Sequence, residues 1–168
     1  MKSTKKYICL LVFSLITPTF LLAQTSRKRV AEGNALYHEE KYDAASDKYQ
    51  DAILSDPGSP LIQFNMGDAL YKKNDYEKAL ESYQKSLDSD DALFQSKSYY
   101  NIGNTLYRLN KLPESILAYE QALKLNPDDE EAKYNLEFVR NKMKENSQPQ
   151  QQDQQQQQNQ QQNEQQQQ

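Results

Sequence analysis

Between residues 30 and 140, apolar and aromatic residues return at intervals of three and four, the spacing that gathers side chains on one face of a helix. Tyr42, Ala45, Tyr49 and Ala52 form one such set, and Tyr76, Ala79, Tyr83 and Ser86 repeat it at the same offsets. Leu112, Ser115, Tyr119 and Ala122 form a third. Ahead of each set lies a second helical stretch with a fixed centre: Glu-Gly-Asn-Ala-Leu-Tyr (32–37), Met-Gly-Asp-Ala-Leu-Tyr (66–71) and Ile-Gly-Asn-Thr-Leu-Tyr (102–107). The pattern predicts three helix pairs, at about 26–59, 60–93 and 96–129. In each, a first helix ends near Tyr37, Tyr71 or Tyr107 and a short turn (38–41, 72–75, 108–111) leads into the second.

Breaker residues fall where the pairs should end. Asp56-Pro57-Gly58-Ser59-Pro60 closes the first and Asn126-Pro127-Asp128-Asp129 the third, both strong stop and turn signals. The second ends in Asp88-Ser89-Asp90-Asp91 with two extra residues, which predicts a longer loop or an earlier start of the next helix. Gly33, Gly67 and Gly103, with Ala45, Ala79 and Ser115 across from them, are small enough for two helix backbones to approach closely. The aromatic four residues after each of the latter fills the wedge. Residues 130–145 carry Tyr134-Asn135-Leu136 in the register of Phe64-Asn65-Met66 and Tyr100-Asn101-Ile102, but Glu137 replaces the glycine and no partner helix follows. A lone helix with charges on its outer side would cap the array. At the other end Arg29-Val30-Ala31-Glu32 lacks a large early apolar residue, so Thr25–Arg29 is expected to fray.

Composition changes the picture at both ends. A basic start (Met1–Lys6), an uncharged apolar run (Tyr7–Leu22) and the small Ala23 have the layout of a secretory signal over residues 1–24. A retained anchor is the alternative. At 1.5 Å per residue the run covers ~24 Å, short of a ~30 Å hydrocarbon core, and Pro18 interrupts it. With the leader removed, Cys9 goes too, so the exported domain (25–146) has no disulfide available. The formal charge moves from −4 to −7, which gives no electrostatic reason to bind nucleic acid. Beyond Met143 there is no apolar residue, and 147–168 is nearly all glutamine, a tail expected to be disordered. It reads as a solubilising segment or as a low-complexity contact.

Candidate chemistry is sparse. The mature chain has one histidine, His38, placed at a turn beside Glu39 and Glu40, and no cysteine. The acidic runs 88–91 and 128–131 lack the spacing and glycine of a calcium loop. Neither a catalytic centre, a metal site nor a cofactor is expected.

The glycines are 34 and 36 residues apart, and the recurring Gly, Leu-Tyr, Ala, Tyr and Pro from about Arg27 to Lys144 resemble the tetratricopeptide repeat. The resemblance implies an all-α solenoid of three helix-turn-helix repeats with a C-terminal capping helix, in which the first helices line a concave peptide-binding face. Projected onto this chain, that face offers Phe64, Tyr100 and Tyr134 in one row, Asn34, Asp68 and Asn104 in a second, and Tyr37, Tyr71 and Tyr107 in a third. His38, Lys72 and Arg108 make a basic margin, and Asn65 and Asn101 lie between rows. The convex face or the tail is the alternative surface. Asn34, Asn65 and Lys97 also fall on positions of the carboxylate clamp that holds chaperone C-termini, but Val30 and Asn101 stand where that clamp needs cations. The full layout, with a signal, the stretch Leu-Asn-Pro-Asp-Asp-Glu-Glu-Ala-Lys-Tyr-Asn-Leu-Glu (125–137) and a glutamine tail, is similar to the BatC-type proteins of Bacteroides aerotolerance operons. That similarity implies membrane proteins with von Willebrand A domains and a MoxR-type ATPase as neighbours. The expected role is a non-catalytic adaptor in the periplasm, with a membrane protein's exposed domain or peptide as partner. Membrane contact would be indirect or through an uncleaved signal. A chaperone-like or envelope-assembly factor binding many clients is the alternative.

Overall fold

A computed structural model of the chain describes residues 24–146; residues 1–23 of the expected signal and the expected disordered tail 147–168 lie outside the described residues. Among the described residues there are seven helices and no strand. They are α1 (24–38), α2 (Tyr42–Ser55), α3 (Pro60–Lys72), α4 (Tyr76–Ser86), α5 (Ala92–Arg108), α6 (Leu112–Leu125) and α7 (130–146). Consecutive helices pack together, so the chain is an all-α solenoid of helix pairs closed by a single helix. No described helix is long and apolar enough to cross a membrane.

The two extra residues of the second pair resolve as an earlier helix start. α5 begins eleven residues before its glycine and α3 seven before its own, while α4 is three residues shorter than α2 or α6. Asp91 sets the new start by accepting from the backbone N–H groups of Leu93 (2.9 Å) and Phe94 (3.2 Å). Asp129 does the same at α7 with Ala132 (2.9 Å). Both acidic runs thus contain a helix cap, which satisfies amide groups that have no partner within the helix.

The turns inside the pairs share one device. Glu40, Asn74 and Asn110 occupy the left-handed region at φ 59°, 63° and 58°. Asparagine tolerates this conformation, whereas other L-residues lose roughly 1–2 kcal/mol there. Glu40→Asn is therefore expected to stabilise the fold by about 1 kcal/mol and to raise Tm by roughly 4 °C. Thermal unfolding checks it, with Asn74→Glu as the substitution of opposite sign.

In the core, Ala45, Ala52, Ala79 and Ala122 are fully buried, and the wedge rings Tyr49, Tyr83 and Tyr119 nearly so. A Cβ placed on Gly33, Gly67 or Gly103 would lie 2.6, 2.7 or 2.6 Å from the ring of Tyr49, Tyr83 or Tyr119 respectively. These rings are enclosed and cannot yield. Gly67→Val should thus cost about 2 kcal/mol despite the ~1 kcal/mol penalty glycine carries in a helix, measurable by urea unfolding. Ser115, at the alanine register, donates to Gly103 O (2.8 Å) and ties α6 to α5.

Two expectations about the ends change. At α1, Ser26 is buried and Arg29 donates to Asp51 O (2.6 Å) and Ser55 Oγ (2.9 Å), so this segment is tied to the end of α2 against fraying. Arg29 is accordingly a structural residue. At α7, Ala132, Leu136 and Val139 cover the last pair, but the outer side is not only charged: Tyr134 is 71% and Phe138 46% exposed.

Candidate functional site

The first helices α1, α3 and α5, with the cap α7, line a groove of three depressions. The first, about 220 Å³, is bounded by Asn34, Tyr37, His38, Tyr49, Asn65 and Asp68. The second, about 200 Å³, adds Tyr71, Lys72, Tyr83, Asn101 and Asn104 to Tyr37 and Asp68. The third, about 350 Å³, continues from Tyr71 and Asn104 through Tyr107, Arg108, Tyr134 and Asn135 to Phe138. Tyr37 and Asp68 are shared by the first two, and Tyr71 and Asn104 by the last two, which makes the groove continuous. Larger hollows of about 380 and 500 Å³ lie between α2 and α4 and at the α1–α2 turn, away from the groove.

A polar relay runs along the groove floor. The residue after each glycine accepts at Oδ1 from the wedge tyrosine of its own pair and from an asparagine of the next first helix. Asn34 accepts from Tyr49 OH (2.8 Å) and Asn65 Nδ2 (3.2 Å). Asp68 accepts from Tyr83 OH (2.7 Å) and Asn101 Nδ2 (3.1 Å). Asn104 accepts from Tyr119 OH (2.7 Å) and Asn135 Nδ2 (3.0 Å). Each repeat is thereby joined to the next through one atom, and these Oδ1 atoms are committed to the fold rather than free for a peptide.

The aromatic rows divide. Phe64 turns into the contact between pairs, 5.7 Å from the Tyr83 ring and 5.1 Å from Phe94. Tyr100 packs against Tyr119 (6.0 Å) and its hydroxyl donates to Glu131 (3.1 Å). Of that row only Tyr134 lines a depression. The row Tyr37, Tyr71 and Tyr107 does form the groove wall, each half-buried and held edge-on by Tyr42, Tyr76 or Phe138 at 5.3, 5.3 and 5.7 Å.

The basic margin is longer than the sequence reading had it. Arg108 lies 4.7 Å over the Tyr76 ring, and its charge opposes the rise that burial imposes on the Tyr71 hydroxyl. Lys142, five residues after Glu137 as Lys72 is after Gly67, lies 6.0 Å from the Tyr107 ring. Phe138 and Lys142 both escaped sequence reasoning because the register was dropped once the glycine was lost. Lys97, on a clamp-like position, is exposed on α5.

Burial sets the protonation of the site. Desolvation pushes the Asp68 carboxyl up to about 6, against the opposing pull of the Tyr83 hydroxyl and the Lys72 charge. Burial likewise raises Tyr37 and Tyr49 to about 12 and raises Tyr71 and Tyr83, so the groove tyrosines stay hydroxyl donors at neutral pH. Among the described residues no three His, Cys, Asp or Glu side chains gather as a metal site.

Comparison with known proteins gives the same architecture. Models of the tetratricopeptide repeat match residues 30–93 and 96–129. No curated protein sequence matches the chain. Among solved structures, the first TPR of Spaghetti (RPAP3) bound to the HSP90 peptide SRMEEVD is 25% identical, with a TM-score of 0.68 over 72% of this chain and 94% of that one. The second TPR domain of human RPAP3, in complex with the HSP70 peptide SGPTIEEVD, is 26% identical, with a TM-score of 0.64 over 73% and 98%. The Sgt2 TPR domain from Aspergillus fumigatus is 25% identical, with a TM-score of 0.67 over 73% and 82%.

Proposed function

The chain is a tetratricopeptide-repeat protein, and we propose that it is a non-catalytic scaffold that holds an extended segment of a partner protein along the groove of α1, α3, α5 and α7. The observation that carries this reading is the continuity of the three depressions, built from the same register positions in successive repeats. Half-buried tyrosines supply contact area with a hydroxyl at little entropic cost, and such aromatics dominate binding energy in many interfaces. The role is an adaptor in a bacterial envelope complex. Its partner is the exposed domain or a peptide of a membrane protein, of the von Willebrand A type that the aerotolerance resemblance implies. The leader-like residues 1–24 support export to the periplasm.

The neighbours that bind HSP90 and HSP70 peptides favour a second, chaperone-like reading. Against a clamp of that kind, Val30 and Asn101 are uncharged where cations are needed, and Asp68 places a carboxylate on the groove floor.

Crosslinked capture from solubilised membranes with the full chain tests the proposal, alongside a Tyr71→Ala/Tyr107→Ala variant confirmed as folded by circular dichroism. One saturable membrane partner, bound about tenfold or more weakly by the variant, is the expected result. Capture unaffected by the substitutions would overturn it. Weak capture of many unrelated chains would favour the chaperone-like role.

A further inference from the structure

The register position after the glycine is asparagine in two repeats and aspartate in the middle one. All three do the same structural work through Oδ1, accepting one tyrosine hydroxyl and one asparagine amide at nearly equal distances. Asparagine is therefore sufficient for the relay. What aspartate adds is a negative charge and a second oxygen, Oδ2, which takes part in no hydrogen bond or ion pair among the described residues. Lys72, the one cation bordering the same depression, is exposed and makes no ion pair with Asp68 among the described residues.

That depression is the middle one of the groove, about 200 Å³, with Tyr37, Tyr71 and Tyr83 around the carboxylate. At ~30 Å³ per water it holds the equivalent of about six waters, room for one long side chain rather than for a helix or strand. A carboxylate among aromatic rings suits a cation on a flexible apolar stem: the rings cover the stem and attract the charge, and the carboxylate pairs with it. The chain already places Arg108 over Tyr76 and Lys142 beside Tyr107, so tyrosine rings at this face do accept cations. An anionic side chain would instead meet a partly desolvated carboxylate. The chain's negative net charge adds attraction at longer range for a basic segment.

We propose that the pocket around Asp68 receives a lysine or arginine side chain of the bound segment, and so sets which segments the groove selects. The inference rests on the groove-binding reading above and names the chemistry of its ligand.

The test uses the immobilised full chain and pools of nine-residue peptides, randomised except at the central position. That position is lysine, arginine, glutamine, glutamate or Nε-acetyl-lysine. The lysine and arginine pools should bind about tenfold more tightly than the glutamine and acetyl-lysine pools, in keeping with a charge-assisted hydrogen bond. Asp68→Asn, which reproduces the side chain found at Asn34 and Asn104, should abolish that preference, so that the lysine, arginine and glutamine pools bind alike. Asp47→Asn, the same charge change outside the groove, should leave the preference intact. Equal binding of lysine and acetyl-lysine pools by the parent chain, or a preference that survives Asp68→Asn, would overturn the inference while leaving groove binding in place. Failure to retain any pool, or retention unchanged by Tyr71→Ala/Tyr107→Ala, would overturn the groove itself and the inference with it.

Discussion

Tyr83→Ala is expected to lower the free energy of unfolding by about 4 kcal/mol, the middle of the range for removing a large buried aromatic. The ring is 2% exposed and sits against Gly67, where even one added carbon would be 2.7 Å from it. Phe64 packs on its edge, and its hydroxyl donates to Asp68. Alanine removes the filling of the wedge between α3 and α4 and leaves Asp68 Oδ1 with a single donor, Asn101. The surrounding alanines and glycine are too small to collapse into the space. Tyr83→Phe separates the two contributions, because it keeps the ring and forfeits only the hydrogen bond, at about 1–2 kcal/mol. Urea unfolding of both variants checks the ordering. Near-equal losses would show that the hydroxyl, and not the ring, holds the middle repeat together.

Asp68→Asn should act in the opposite direction, stabilising the fold by up to about 3 kcal/mol at pH 8 and by almost nothing well below pH 4. Burial raises the folded-state carboxyl to about 6 from an ordinary value of 3.8. Well below pH 4 the group is protonated both folded and unfolded, and resembles an asparagine. As pH rises from about 4 to 6 the unfolded chain ionises first, which lowers its free energy relative to the folded chain, and stability falls. Well above pH 6 both forms are ionised and the loss is complete, at 1.36 kcal/mol per pKa unit. Glu32, Asp75 and Glu81 are shifted downward by Lys48, Lys78 and Lys85, and their contributions run the other way in acid. The difference between parent and variant cancels them. Chemical unfolding of both proteins at pH 4, 5, 6, 7 and 8 measures that difference directly; a gain that does not depend on pH would show that Asp68 is not held in a desolvated site. A residue that works against stability at neutral pH, where asparagine would serve the fold, is the kind that function retains.

Helix identity and pairing were legible from spacing alone, since Tyr42/Ala45/Tyr49 and its two copies can share a face only in a helix. The wedge was legible too, because a glycine and an alanine at fixed offsets from a tyrosine specify a close approach. The groove was legible only in part. Register names the side of a helix a residue occupies but not how far the next helix overhangs it. For Phe64 and Tyr100 that overhang decides: α5 and α7 approach closely enough to cover part of each ring, whereas among the described residues no helix follows that of Tyr134, which is exposed. The asparagine row was misleading for a related reason. Its capacity to bind a peptide was inferred side chain by side chain, while the acceptors are already engaged by the neighbouring repeat. Phe138 and Lys142 could have been found by counting on past Glu137 in the same register.

The relay along the groove floor also has a direction, and with it two defined ends. Each link needs an acceptor just after the glycine and a donor two residues before the next one. The first repeat carries Ala31 at the donor position, so no upstream repeat could dock on it in the same way. The last helix carries Phe138 at the acceptor position, so no downstream repeat could continue from it. Between these two residues the links are interchangeable. A tandem duplication of one interior period would therefore find both halves of its new junction in place, whereas a repeat appended at either terminus would not. Ala31 and Phe138 mark where the relay starts and stops, not how many links lie between them, and the relay can lengthen from within.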